Sequence, residues 1–195
     1  MNDTGFLVLA AGSSHRFGNN KLLAPLPSGM SLLETTLRRL PQDHRVHVVC
    51  HPKHHDVQAL LRTLHLPFSK NPKADYGMAS SITHGITQTS EWPGWIICLA
   101  DMPWIQTTTY QQIAQAITPD RIVVPITEHQ GKALRGNPVG FGRHFRDKLI
   151  SLQGDVGAKP LIATHARCVQ ALAVKDDGIL LDIDYPDDIN MHVID

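Results

Sequence analysis

Hydrophobic residues fall along this chain in short blocks, some continuous and others spaced three and four apart. Residues 5–11, GFLVLAA, are an unbroken apolar run, the pattern of a strand buried on both faces rather than one alternating between core and water. GWIICLA (94–100) repeats that pattern, and RVHVVC (45–50) and RIVVPI (121–126) also read as strands. Helical spacing fills the gaps. Ser31 followed by Glu34 is a capping-box signature, opening a helix with Leu33, Leu37 and Leu40 on its apolar face. HHDVQALLRTLH (54–65), MASSITHGITQ (78–88) and TTTYQQIAQAI (107–117) read as three more helices. Alternation of strand and helix up to about residue 126 predicts an α/β fold, a mainly parallel sheet with helices on both faces.

The remainder is less regular. GKALRGNPVGFG (131–142) predicts one short strand among glycines, and FRDKLISLQGDVGAKPLIATH two short helices separated by Gly154 and Asp155. GILLDIDYPDDINMH predicts a strand that stops at an acidic turn before a last helix. With no repeat, low-complexity tract or linker, residues 1–195 are expected to form one domain.

Charge narrows the function. Eighteen basic residues balance eighteen acidic ones, against the cationic excess that nucleic-acid binding through a broad face requires. No apolar run approaches the roughly 20 residues that span a bilayer, so a membrane role is not expected. The start, MNDTGFLVLAAGSS, lacks a basic leader, and the odd set Cys50, Cys98 and Cys168 has no CxxC spacing. Reduced thiols and a cytoplasmic location are the expectation.

Chemistry gathers where apolar runs end. After the first strand comes LAAGSSHRFGNNKLL, in which Ala10, Ala11 and Gly12 let backbone amides approach a ligand closely. Arg16 offers a planar fork and Lys21 a point charge for phosphate. The spacing is neither GxxxxGK[ST] nor GxGxxG, so neither a P-loop nor a dinucleotide fingerprint is present. Missing GxGxxG also disfavours a nicotinamide-dependent oxidoreductase. In CLADMPWI (98–105), Asp101 follows a buried strand and would face the same crevice, a hard oxygen ligand suited to Mg²⁺; the alternative is a helix cap. Asp182 and Asp184 lie two apart and share a face in extended chain, offering a second metal oxygen. Asp187 and Asp188 after Pro186 read as first-turn acids.

Three further turns carry polar groups. YGMASSI (76–82) leads through Gly77 to a helix start bearing Ser80 and Ser81, fit for a base edge, a ribose or a phosphate. LRGNPV (134–139), with Arg135 and Asn137, and GDVGAK (154–159), with Asp155 and Lys159, are candidate walls for a second, acceptor substrate. Twelve histidines include the cluster His51, His54 and His55, but Pro52 and Lys53 argue for a turn, and no third ligand of the right kind lies close to the His51 and His54 pair where structural zinc sites need four.

LAAGSSHRFGNNKLL resembles the signature LAAGxSxRMGxxKLL of the MobA-like nucleotidyltransferases. GMASSI, LADMP, RGNPV, GDVGAK and DIDYPDD resemble later blocks of the branch containing the molybdenum cofactor cytidylyltransferases (MocA-like). The resemblance spans nearly the whole chain. It implies a three-layer Rossmann-like nucleotidyltransferase fold and the reaction NTP + phosphorylated acceptor → nucleotidyl-acceptor + pyrophosphate, with Mg²⁺. It implies that Leu9, Ala10, Ala11, Gly12, Ser13 and Lys21 hold the nucleotide, with Gly77, Ser80 and Ser81 nearby. By the same resemblance, Lys21 and Arg16 act on the phosphates, Asp101 binds the metal with Asp184 as second ligand, and Arg135, Asn137 and Asp155 face the acceptor. Ala11, where the guanylyl branch has glycine, leans towards CTP. Molybdopterin cofactor is the implied acceptor, and a molybdoenzyme or cofactor-insertion protein the implied partner. Phe17 for Met, the Ser28-Gly29-Met30 turn and Lys159 for Arg depart from the pattern without touching the triphosphate residues. Two other functions stay open. One is a sugar-phosphate or other small-phosphate nucleotidyltransferase; the other is a nucleotide-binding cofactor chaperone that transfers nothing.

Overall fold

A computed structural model describes residues 4–12 and 20–191. Four strands form its parallel half: β1 (Gly5–Ala10), β2 (Arg45–Cys50), β3 (Phe68–Lys70) and β4 (Gly94–Leu99). β1 lies between β2 and β4, with β3 outside β2, all parallel. The other half consists of β5 (Ile122–His129), β6 (Lys132–Arg135), β7 (Val139–Gly142) and β8 (Val169–Ala173). β7 joins the halves, antiparallel to both β4 and β5. β6 continues along the same edge of β5, and β8 runs parallel along the other. The sheet is therefore mixed, with four parallel and three antiparallel pairings.

Period-two alternation of side chains explains why the central strands are apolar throughout. Phe6 and Val8 of β1 and Ile96 and Cys98 of β4 enter one core, while Leu7, Trp95 and Ile97 enter the other. Helices α1 (Leu32–Arg38), α2 (His55–Thr63) and, after α3 (Met78–Gln88), α4 (Thr107–Ala116) cover the first face through Leu33, Leu61 and Ile113. On the second face, α3 packs Ile82 and Ile86 beside Leu149 of α5 (Arg146–Ile150) and Leu161 of α6 (Lys159–Thr164). This is the three-layer α/β arrangement that the pattern predicts. A last helix, α7 (Asp188–Met191), ends the described chain. Among the described residues, no helix is long and apolar enough to cross a membrane.

Some expectations need correction. Ser31 caps α1 by accepting the Glu34 amide at 3.2 Å, but the Glu34 carboxylate turns to Arg38 at 2.8 Å, so half the capping box forms. Residues 131–142 hold two strands, not one. Between them the Gly136 amide bonds Pro125 O and the Asn137 amide bonds Ile179 O, which breaks the ladder. A Cβ at Gly136 would lie 2.3 Å from that Ile179 carbonyl, so only glycine allows the chains to cross. The strand expected in GILLDID is also absent. That segment is a 3-10 turn (Asp177–Leu180) and irregular chain, and the strand lies earlier, at β8. Asp176 is the cause. Only 4% exposed, it accepts the Gln106 amide (2.8 Å), the Thr109 hydroxyl (2.6 Å) and the Gly178 amide (3.0 Å). One carboxylate thus caps α4 and bends the chain after β8, because the start of α4 has no side-chain cap of its own.

Candidate active site

The carboxyl ends of β1 and β4 open into a cleft of about 760 Å³. β1 contributes Leu9 and Ala10, with Ala11 and Gly12 following; β4 contributes Leu99, then Ala100 and Asp101. The Ala100 amide bonds Leu9 O at 3.2 Å, holding the two strand ends side by side past the formal ladder. Small residues here are structural as well as permissive. Ala10 and Ala11 are buried, while no described residue stands within 4 Å of where a Cβ on Gly12 would lie. Ser13 and Arg16 lie outside the described residues.

Lys21 re-enters at the foot of the cleft, on a 3-10 turn (Lys21–Leu23) capped by the Asn20 side chain. Its ammonium has three donors, and each finds an acceptor: Asp101 Oδ2 at 2.8 Å, Asp184 Oδ1 at 3.0 Å and the Ile183 carbonyl at 2.9 Å. Burial alone would lower the amine's pKa, but the carboxylates of Asp101 and Asp184 together outweigh it, so the pKa is raised and Lys21 stays charged. The Ile183 amide donates to Asp101 O at 3.0 Å, so the 182–188 segment is fastened by its amide to the residue after β4 and by its carbonyl to Lys21. Asp188 holds the next turn by accepting the amides of Asp184 (2.9 Å) and Tyr185 (2.7 Å).

The carboxylates do not share a strand face, since 181–187 is not a strand. Asp184 reaches Lys21, and Asp182 lines the cleft. Desolvation by the surrounding turn pushes the Asp182 carboxyl up, and the charges of Asp101 and Asp184 push the same way. Asp101 Oδ1 is buried and has no hydrogen-bond partner among the described residues. An anionic oxygen in that position is costly to leave unpaired, so it fits a ligand that supplies positive charge. Among the described residues, no three His, Cys, Asp or Glu side chains converge as a metal site by themselves.

The opposite wall is the turn Ala74–Met78 and the start of α3, with Gly154 and Asp155 beside it. Asp155 Oδ1 accepts the Met78 amide at 3.1 Å, so this acid caps α3 as well as lining the cleft. Gly77 permits the contact. Its φ of +94° is in the region that favours glycine, and a Cβ there would lie 2.7 Å from Asp155 Oδ1. Ser81 lines the cleft, whereas Ser80 lines a neighbouring cavity with Thr83 and His84. Arg135 and Asn137 do not line the cleft; Arg135 is exposed on β6. Among the histidines, His51 takes the Lys53 amide on Nδ1 and faces Asp75 through Nε2 at 3.2 Å, bracing the turn that forms the wall. Sequence reasoning missed Asn71, Asp75, Tyr76 and Met78. The glycine turn was a visible signal for the last three; Asn71 carried none.

These features sit where open α/β sheets hold ligands, and comparison with known proteins agrees. The MobA-like NTP transferase domain matches residues 6–169. The purine catabolism protein PucB of Bacillus subtilis (strain 168) is 31% identical over 199 residues, covering 95% of this chain and 93% of its own. Among solved structures, a homologue of the mycobacterial protein Rv0371c from Mycobacterium sp. strain JC1 superposes with a TM-score of 0.80 at 26% identity, covering 97% of this chain and 94% of its own. Rv0371c of Mycobacterium tuberculosis H37Rv, crystallised in complex with manganese, gives 0.77 at 24% identity, with 96% of both chains covered. The chain belongs to the MobA-like NTP transferase domain family and is a nucleotidyltransferase. Asp182 and Asp184 lie beyond the matched residues, yet they complete its cleft.

Proposed function

We propose that this protein transfers CMP from CTP to a phosphorylated small-molecule acceptor of the molybdopterin cofactor type and releases pyrophosphate. The observation that carries this reading is the Lys21 ammonium held between Asp101 and Asp184 at the ends of β1 and β4. It is a cation for phosphate beside carboxylates for a metal, inside a nucleotidyltransferase fold. A nucleotide sensor needs the cation alone. The resemblance to MocA-like sequences and Ala11 support cytidine, and the similarity to a purine catabolism protein suits a small acceptor. Residues 1–195 act as one unit in this reading, because the chain after β8 returns to supply Asp184.

In the reaction, an acceptor phosphate oxygen bonds to the α-phosphorus of CTP in line with the departing bridge oxygen, and that P–O bond breaks to give pyrophosphate. Asp101 and Asp184 would hold Mg²⁺, a role supported by the buried, unpartnered Asp101 Oδ1 and by the manganese complex of Rv0371c. The metal supplies charge neutralisation at the phosphate oxygens. Lys21 exchanges its carboxylates for phosphate oxygens and offsets the charge that builds on the leaving pyrophosphate, assisted by Arg16. The amides of Ala11, Gly12 and Ser13 cradle the phosphates. Gly77 and Ser81 form the nucleoside side, and Asp155, which caps α3 beside them, belongs to the same wall. Ser80, Arg135 and Asn137 receive no role, given where they stand. An acceptor phosphate is already ionised, so positioning rather than a strong base does the work.

A thermal-unfolding series with CTP, GTP, ATP and UTP, each with and without Mg²⁺, tests this reading. Ligands that bind the folded state raise its midpoint by mass action. CTP with Mg²⁺ is expected to give the largest rise. A larger rise with GTP would overturn the cytidine assignment, and no rise with any nucleotide at millimolar concentration the reading itself.

A further inference from the structure

Asn71 is 1% exposed, and its polar atoms are committed in a way that fixes a proton two residue shells away. Its Oδ1 accepts the Lys73 amide at 2.9 Å, which sets the orientation of the side-chain amide, since the reverse would face one donor with another. Nδ2 therefore points at the serines, donating to Ser80 Oγ at 2.9 Å and Ser81 Oγ at 3.2 Å. Ser80 spends its own proton on the backbone, with Lys73 O at 2.6 Å and Gly77 O at 2.8 Å. Ser81 accepts from Asn71, and among the described residues no group accepts in return. Its hydroxyl proton is left for whatever occupies the cleft that Ser81 lines.

We propose that Asn71 is a positioning residue that makes the Ser81 hydroxyl a fixed hydrogen-bond donor, so that the bound nucleotide is read there through an acceptor atom of its nucleoside part. A carbonyl oxygen, an unprotonated ring nitrogen or a ribose oxygen satisfies that donor directly; an N–H presented at the same point is disfavoured, because it must compete for the one lone pair that Asn71 leaves and turn the hydroxyl proton away. Charge places the nucleoside rather than the phosphates at Ser81. The wall around it carries the carboxylates of Asp75 and Asp155 and no cation among its described residues, whereas Lys21 stands with Asp101 and Asp184. The inference rests on the proposed nucleotide binding and extends it to the rule by which one wall of the cleft selects.

The test measures affinity for the tightest-binding of the four NTPs, with Mg²⁺, and for tripolyphosphate with Mg²⁺ as a probe of the phosphate end alone. Ser81→Ala is expected to weaken the NTP on the order of tenfold, the worth of one hydrogen bond to a buried group. Asn71→Asp keeps the bond to the Lys73 amide but offers Ser81 an acceptor, turning its proton out of the cleft, so a similar loss is expected. The double variant should bind no more weakly than the weaker single one, and tripolyphosphate should bind all three as it binds the original chain. If Asn71→Asp is unfolded at the assay temperature, Asn71→Ala replaces it, with about a threefold loss expected and again none added to Ser81→Ala. Unchanged NTP affinity in Ser81→Ala, additive losses in the double variant, or a matching loss of tripolyphosphate would each overturn the inference. Absence of NTP binding to the original chain would instead remove the nucleotide reading on which it stands.

Discussion

Asp101→Asn is expected to lower turnover by about 10³-fold or more while leaving the unfolding midpoint nearly unchanged. The substitution keeps the shape of the side chain and an oxygen for Lys21, so the ends of β1 and β4 stay where they are. What it removes is charge. In the proposed role the metal contribution to phosphoryl chemistry is worth several kcal/mol, and a site reduced to Asp184 would hold a divalent ion poorly. Stability responds differently because two effects oppose each other. The ion pair with Lys21 is lost, but so is a buried oxygen with no partner among the described residues, together with its repulsion of Asp182. A net change within about 1 kcal/mol follows from such partly buried pairs. Steady-state kinetics beside a melting curve check both halves. Turnover within tenfold of the original chain would remove Asp101 from the metal role.

Lys21→Met is expected to lower kcat/KM by about 10²–10³-fold, the usual cost of removing one donor from developing oxyanion charge. Its second signature separates it from Asp101→Asn. In the free protein Lys21 bonds both carboxylates, so methionine at this position removes the ammonium that competes with a metal for them, and Mn²⁺ affinity measured without nucleotide should rise. The Ile183 carbonyl loses its donor at the same time, and the 182–188 segment keeps only the amide bond to Asp101 O and the Asp188 clamp. A lower unfolding midpoint is therefore expected too. Weaker Mn²⁺ binding in this variant would show that Lys21 does not compete with metal for those carboxylates.

How much of this was legible in the chain depends on how local the cause was. β1 and β4 could be read because each is buried on both faces and its apolar run is continuous. α3 could be read to the residue because Gly77 marks its start. β8, VQALA, has only partly buried or exposed positions and takes its place from pairing with β5 rather than from its own pattern. The misplaced strand in GILLDID fails for a related reason: Asp176 bends that chain by bonding to the start of α4, about 70 residues earlier. The site divides the same way. Asp101 announces itself as a polar residue at the end of an apolar run, and Lys21 as a cation in the loop that follows one. The meeting of Lys21 with Asp184 and Ile183 spans more than 160 positions and depends on a non-strand segment bonded to Asp101. Asn71 was illegible because its importance lies in the direction of its hydrogen bonds.

The most direct measurement of the central claim follows two labels in CTP, one on the α-phosphorus and one on the γ. Incubated with Mg²⁺ and molybdopterin cofactor, the protein is expected to transfer the α label to the acceptor and release the γ label as pyrophosphate, in equal amounts. Release of the γ label as inorganic phosphate, with the α label left on CDP, would contradict nucleotidyl transfer.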